Sequence, residues 1–400
     1  MVSSSSARAV PGLERPESTR PRLASWPRIL VVDSALRENG GVRVVLDLAQ
    51  RWRRLGAPTE WFVLQQVPDE APELAADSAP RRYGSRRGRL RFAMPKVFAR
   101  LLLAARRADV LLSVSEAGNG LLFGVAAAKL LGKPLAACVH TPLERSIEAW
   151  TPRPLHELTY AAVRRTDALV CVARALAKNV HAHGVAPERI HVIENGVDVD
   201  RVCERGKEPI ELRLKAAGDP PLVVSTGRLS RQKGFDVLIE AHARALRAGL
   251  PHKLAIIGEG EERAALEGLA RRLGVSDSVS LLGFRANPHA IMARADLFCL
   301  ASRYEGYPLV LIEALALGLP IISTDCVSGP SEVLAGGRYG ELVPVEAPDA
   351  LAAALCNHLR DPSRLRRISE LGQGRAREFD PDTNALRYLD ILAELHARAA

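Results

Sequence analysis

The chain has 400 residues, 47% hydrophobic and 25% charged, with a formal net charge of +9. That length suits two domains of about 150–200 residues each, and the composition is that of an ordinary folded protein. No apolar run approaches the roughly 18–20 residues of a membrane-spanning helix, and six scattered cysteines without a CxxC pair predict neither disulfides nor zinc.

Residues 1–27, rich in Ser, Pro and Arg and without an apolar core, read as a disordered leader and not as a secretory signal. From residue 28 onward β-rich runs alternate with helical stretches, which predicts an α/β protein with parallel sheets and crossover helices. A first domain, 28–203, has strands at 28–33, 59–64, 109–114, 134–140, 167–172 and 189–193, with helices at 42–55, 120–131 and 174–183. The charged, Pro- and Gly-containing stretch 204–220 reads as a linker. A second domain, 221–380, has strands at 221–227, 253–258, 278–284, 295–302, 320–325 and 340–345, with helices at 235–246, 261–273, 287–293, 308–318, 347–359 and 362–378. A final helix follows in 381–400. Open parallel sheets of this kind bind ligands at the C-terminal edges of their strands.

From Arg81 to Arg107 every charge is basic, with Leu90, Phe92, Met94, Val97, Phe98 and Leu101–Leu103 interleaved. Such an amphipathic segment suits an anionic membrane or acidic polymer. In an Arg-rich chain a solvated helix face explains it as well. No nucleic-acid-binding motif accompanies it, so nucleic acid is not expected as a partner.

The first loop, Asn39-Gly40-Gly41-Val42-Arg43, leads into a helix whose free N–H groups suit an anion, and a simple tight turn reads the same. It lacks GxGxxG spacing, which argues against a dinucleotide. His140 ends the strand 134–140, where an imidazole can serve a sugar hydroxyl or stay structural. In GRLSRQKG, Arg228 and Lys233 stand at a strand-to-helix edge and offer a diphosphate a fork and a point charge; two solvated loop cations are the alternative. The run EGYPLVLIE places Glu305 in a turn and Glu313 alone in an apolar helix, where an ionised carboxylate is costly without donors. The two glutamates either grip a polyhydroxylated ligand or are one surface and one salt-bridged residue. Asp380-Pro381-Asp382 has DxD spacing but starts a helix and reads as a cap, so no metal site is expected.

Taken in order, GGVR, VHTP, NGVD, GRLSRQKG and EGYPLVLIEALALGLPIISTD resemble the retaining glycosyltransferases of family 4 over about residues 28–390. The block CVSGPSEVLAGGRYGELVPV is similar to bacterial enzymes that build surface polysaccharides and lipid-linked glycans. The resemblance implies the GT-B fold, two Rossmann-like doubly wound domains facing a central cleft. The N-terminal domain would be the acceptor side, the second would bind the nucleotide sugar, and the last helix would cross back to the first domain. Arg228 and Lys233 would hold the donor diphosphate and stabilise its leaving charge without a metal or other cofactor. Glu305 would grip the donor sugar and Glu313 the ribose. Gly306 belongs to the same donor-binding turn, and N–H groups around Tyr307, Leu309 and Val310 would contact phosphate. Gly41 would let the first domain close on the diphosphate, and His140 would touch the sugar. Glu259, Phe284 and Arg285 would lie by the nucleoside. The chain departs from the common GGAER pattern at Val42-Arg43, which weakens any transfer of a role to Arg43.

The implied reaction moves a hexose or N-acetylhexosamine from a UDP-sugar to a glycan or lipid-linked saccharide, at the cytoplasmic face of the plasma membrane. A GDP-mannose-dependent mannosyltransferase is the rival within the family. A sugar-nucleotide epimerase and a non-catalytic nucleotide-sugar-binding protein are the rivals outside it.

Overall fold

The computed structural model of the protein describes residues 25–36, 40–67, 81–85, 90–211, 218–361 and 370–400. Most of the 1–27 leader, part of the 204–220 linker, Asn39, Arg86, Arg87 and Arg89 lie outside the described residues. Two units form, Met1–Glu194 with Asp382–Ala400, and Asn195–Pro381.

The first unit holds β1 (Ile29–Asp33), β2 (Thr59–Gln65), β3 (Arg81–Ser85), β4 (Val110–Ser113), β5 (Leu135–Val139), β6 (Ala168–Cys171) and β7 (Ile190–Val192). They make one parallel sheet in the order β3-β2-β1-β4-β5-β6-β7. β1, β4, β5 and β6 are buried at every position. Helices cover both faces of such a sheet, which is why these strands are nearly unbroken Val, Ile, Leu, Ala and Cys instead of alternating. The order reverses between β1 and β4, so the loops after them open a crevice at the C-terminal edge.

β3 departs from the sequence reading, which put Arg81 and Arg82 in a single amphipathic segment. It pairs in parallel on β2, Trp61 opposite Arg81 and Gln65 opposite Ser85. An edge strand tolerates outward charge, and its arginines hide the strand from a search by hydrophobicity. The segment resumes as the helix Leu90–Ala105. Its Val97 and Leu101 are fully buried, and Phe98 meets Phe123 edge-on with ring centroids 5.6 Å apart. Much of the apolar side offered to an outside surface is therefore spent on internal packing. Met94 and Leu103 remain exposed.

The boundary between units also differs from the expected 203/204. Asp198 caps the helix Val199–Lys207 by accepting from the Arg201 N–H at 3.0 Å. That helix packs within the second unit: a Cβ on Gly206 would lie 2.7 Å from Leu317 Cδ2. The polar NGVD turn is thus a helix entry after the crossover, and the first unit ends at Glu194.

The second unit holds β8 (Leu222–Thr226), β9 (Lys253–Ile257), β10 (Val279–Gly283), β11 (Leu297–Leu300), β12 (Ile321–Thr324) and β13 (Glu341–Val343). Its parallel sheet runs β10-β9-β8-β11-β12-β13 and reverses between β8 and β11. Among the described residues no helix is long and apolar enough to cross a membrane.

The closing helix, Pro381–Ala399, packs its residues from Asp382 onward into the first unit. Trp52 donates its indole N–H to the Ala385 carbonyl at 2.9 Å, and its ring lies 5.9 Å from that of Tyr388. Both aromatics are 2% exposed or less. Trp52→Ala should lower the unfolding free energy by about 3–5 kcal/mol. Urea titration followed by circular dichroism measures this, and an unchanged midpoint would show that the helix docks without the indole.

Candidate active site

The C-terminal edge of the second sheet gathers most of the residues singled out in the sequence. After β8 the chain passes Gly227 and Arg228 and enters a 3-10 turn, Arg231–Lys233. The Lys233 stem lies along Gly227, where a Cβ would stand 3.3 Å from Lys233 Cε. Gly234 follows at φ 62°, and a Cβ there would fall 2.1 Å from the Ala301 carbonyl oxygen, so only glycine fits. The turn after β9 presses on the same loop: a Cβ on Gly258 would lie 1.9 Å from the Gly227 carbonyl oxygen. Leu229 donates its N–H to the Glu259 carbonyl at 2.8 Å, and Gly258 donates to the Gly283 carbonyl at 2.9 Å. The loops carrying Arg228, Glu259 and Phe284-Arg285 are thereby stacked side by side.

Lys233 reaches the loop after β11, which is the neighbour of β8 at the switch point. Its Nζ donates to Glu305 Oε1 at 2.6 Å, with side-chain exposures of 19% and 7%. Ser302 Oγ donates to the same oxygen at 2.6 Å. The Glu305 turn is fixed from below, where the Ser328 hydroxyl lies 2.8 Å from the carbonyls of both Glu305 and Gly306. The Tyr307 ring points away from the crevice edge into the core, 6.0 Å from Phe379, so its backbone alone is available to a ligand. Leu309 and Val310 open the helix Leu309–Ala316, whose N-terminus has no side-chain cap. Free N–H groups there suit an anion.

Other candidates are placed less centrally. Arg228 is 70% exposed and pairs with Glu261 at 3.1 Å, a surface contact of little stabilising value. Glu259 is bound by Arg263 at 2.7 Å. Phe284 is 57% exposed, and Arg285 is exposed beside it. Glu313 lies on the Leu309–Ala316 helix with its carboxylate 3.4 Å from the His289 imidazole.

In the first unit Gly41 and His140 meet directly. A Cβ on Gly41 would come 2.8 Å from His140 Cδ2, so the glycine lets the helix Gly40–Arg54 start against the ring. His140 Nε2 lies 3.0 Å from the Val114 carbonyl. A carbonyl can only accept, so Nε2 carries the proton and Nδ1 keeps a lone pair. Burial holds the imidazole below its ordinary pKa against the opposing pull of Glu116, so the ring is neutral at pH 7. Glu116, 1% exposed, accepts from the His140 N–H at 3.2 Å, the Thr141 N–H at 3.1 Å and the Thr141 hydroxyl at 2.7 Å. Glu116, Ser302, Ser328 and His289 were not singled out in the sequence. For Glu116, Ser302 and Ser328 the only signal is polarity shortly after an apolar strand run, which loops share, and His289 stands on a short helix without even that. Asp382, from the DxD-like run, pairs with Arg51.

Asp33, at the end of β1, is 7% exposed, and its Oδ2 has no hydrogen-bond partner among the described residues. Burial pushes its pKa up to about 7, against the N–H groups of Ser34 and Ala35. Because the folded value exceeds the unfolded one, the native state binds the extra proton between about pH 4 and 7, and this carboxyl costs stability as pH rises through that window. Asp33→Asn should therefore stabilise the protein at pH 8 by about 2–4 kcal/mol and have little effect at pH 4. Equal shifts in melting temperature at both pH values would refute the buried-carboxyl assignment.

Two parallel α/β units with polar residues collected at both switch-point edges define a protein of the two-Rossmann-domain, ligand-binding class. The family description "Glycosyl transferases group 1" matches residues 207–375, and "Glycosyltransferase Family 4" matches residues 38–201. The MMP alpha-(1->4)-mannosyltransferase of Mycolicibacterium hassiacum is 31% identical over 330 residues, 77% of each chain. The N-acetylgalactosamine-N,N'-diacetylbacillosaminyl-diphospho-undecaprenol 4-alpha-N-acetylgalactosaminyltransferase of Campylobacter jejuni is 32% identical over 52% of this chain and 56% of its own. LpsE of Rhizobium meliloti, a lipopolysaccharide core biosynthesis glycosyltransferase, is 33% identical over 58% and 65%. The chain thus spans little more than half the length of several relatives it matches. Among solved structures, Anabaena Alr3699/HepE in complex with UDP and glucose superposes with a TM-score of 0.79 at 22% identity, covering 92% of this chain and 100% of that one. The chain belongs to glycosyltransferase family 4 and has the GT-B fold.

Proposed function

We propose that the protein is a retaining, metal-independent glycosyltransferase. It moves a hexose or N-acetylhexosamine from a nucleotide sugar, with UDP as the nucleotide, to a glycan or lipid-linked saccharide in cell-surface polysaccharide biosynthesis. The observation that carries this reading is the Lys233–Glu305 pair at the β8/β11 switch point. An ammonium has three donors, so Lys233 can keep Glu305 and still meet a phosphate oxygen. Held there before the ligand arrives, it opposes the charge that grows on a departing nucleoside diphosphate, without reorganising during the reaction. The uncapped N–H groups at Leu309 and Val310 add to the same end, and Arg228 supplies a second, exposed cation. The free oxygen of Glu305 takes hydroxyls of the sugar, and Glu313 takes the ribose. His140 offers only its Nδ1 lone pair to a sugar hydroxyl, so it orients and does not donate a proton to the leaving group. The glycan and lipid-linked acceptors in the relatives' names and the UDP bound to HepE support the choice of substrates.

A GDP-mannose-dependent reaction is the second reading, favoured by the mannosyltransferase that matches 77% of this chain. Thermal shift with UDP- and GDP-sugars separates the two, since only a nucleotide sugar that binds the folded state raises its melting temperature. With the donor so identified, Lys233→Ala should lower kcat about a hundred- to a thousandfold while the protein stays folded. EDTA should leave wild-type turnover unchanged. Near-normal activity in Lys233→Ala would reject the leaving-group role, and a strict divalent-ion requirement would reject metal independence.

The proposal extends to the acceptor's location at the cytoplasmic face of the plasma membrane. Arg81, Arg82, Arg100, Arg106 and Arg107 line a recess of about 580 Å³ on the first unit, with the exposed Leu103 beside them. Each basic residue near an anionic bilayer contributes about 1 kcal/mol. Wild-type protein should float with vesicles rich in phosphatidylglycerol and not with neutral ones. Changing Arg82, Arg106 and Arg107 to Gln should weaken that binding by about two orders of magnitude. Equal flotation of the triple variant would leave the recess a solvated surface.

A further inference from the structure

His289 lies on the short helix Pro288–Met292, which Asn287 caps through the Ala290 N–H. The residue is 8% exposed, and neither ring nitrogen has a hydrogen-bond partner among the described residues. Burying an imidazole unsatisfied is costly, while Leu or Met would fill similar space without that cost. The charged group beside it is Glu313, with Nε2 and Oε2 3.4 Å apart. An ionised carboxylate can only accept, so this neighbour places the imidazole proton on Nε2. At 3.4 Å the contact is longer than a full hydrogen bond, and such contacts in unliganded sites tighten when the ligand arrives. The helix Val199–Lys207 closes over the same spot, a Cβ on Gly206 lying 3.9 Å from the His289 carbonyl oxygen.

We infer that His289 is a positioning residue for Glu313. Its Nε2–H holds one carboxylate oxygen and fixes the side-chain rotamer, so that the other oxygen meets the vicinal hydroxyls of the nucleotide's ribose. This rests on the reading of Glu313 as the ribose ligand. In the unliganded protein the imidazole is under-satisfied, and the bound diol completes the network by pulling Glu313 into line.

The test is calorimetric titration of UDP and of its 2′,3′-dideoxy analogue, with GDP and its analogue used instead if GDP-sugars are the ones that raise the melting temperature. His289→Leu should weaken UDP binding about five- to tenfold and the dideoxy compound by less than about twofold, the scale of one ordinary net hydrogen bond. His289→Gln, which keeps an N–H donor, should recover most of the loss. If His289→Leu does not fold, His289→Met takes its place, and melting temperatures are compared first. Equal losses for both ligands, or no loss for either, would overturn the inference. Glu313→Ala separates the two levels. If it discriminates against the diol and the His289 variants do not, the positioning role fails alone. If it binds both ligands as wild type does, the ribose reading of Glu313 fails and takes the inference with it.

Discussion

A largely buried ammonium–carboxylate contact joins two loops that are remote in sequence and adjacent only because the sheet reverses its order between β8 and β11. Desolvating Lys233 and Glu305 costs several kcal/mol per ion, and pairs of this kind seldom add net stability. What the pair secures is position. Glu305 is also held through Ser302, its turn through Ser328, and Lys233 through the close approach of Gly234 to Ala301. Backbone contacts too tight for a side chain surround the pair on both sides. Arg228 and the helix N-terminus at Leu309 follow from this anchoring, because they are extensions of the same two loops.

The corresponding edge of the first unit is built on a different electrostatic plan. Instead of a charged pair it presents a neutral imidazole and a carboxyl that is half-protonated near pH 7, both set by burial. Glu116 keeps His140 and Thr141 in place by accepting three hydrogen bonds, and among the described residues it forms no ion pair with a lysine or arginine.

The sequence discloses strands buried on both faces, because short β-branched apolar runs bounded by turn residues suit them. It discloses β1, β5, β8 and β11 within a residue or two of their ends. It hides β3, since Arg81 and Arg82 on an edge strand look like any basic surface. It also misplaces the unit boundary, because the charged, Pro- and Gly-containing stretch 204–220 resembles a linker, whereas the second unit already starts at Asn195 with the helix that Asp198 caps. Among site residues, Lys233 and Glu305 are visible as unusual charges beside glycine and proline, but their contact is not, with seventy-odd residues between them. His289 and Glu116 are invisible for a plainer reason. Their roles depend on what lies across the fold, and neither stands in a pattern that a linear reading can test.

The seam between Trp52 and the helix that begins at Pro381 bears on how the molecule is made. More than three hundred residues separate Trp52 from Ala385 and Tyr388. During synthesis the first unit emerges early, yet its core keeps an indole-lined face open until the helix Pro381–Ala399 has left the ribosome. The second unit, continuous from Asn195 to Pro381, meets no such delay and can finish first. The order of completion is then the reverse of the order of synthesis, and the nascent first unit is the species that needs shielding from aggregation.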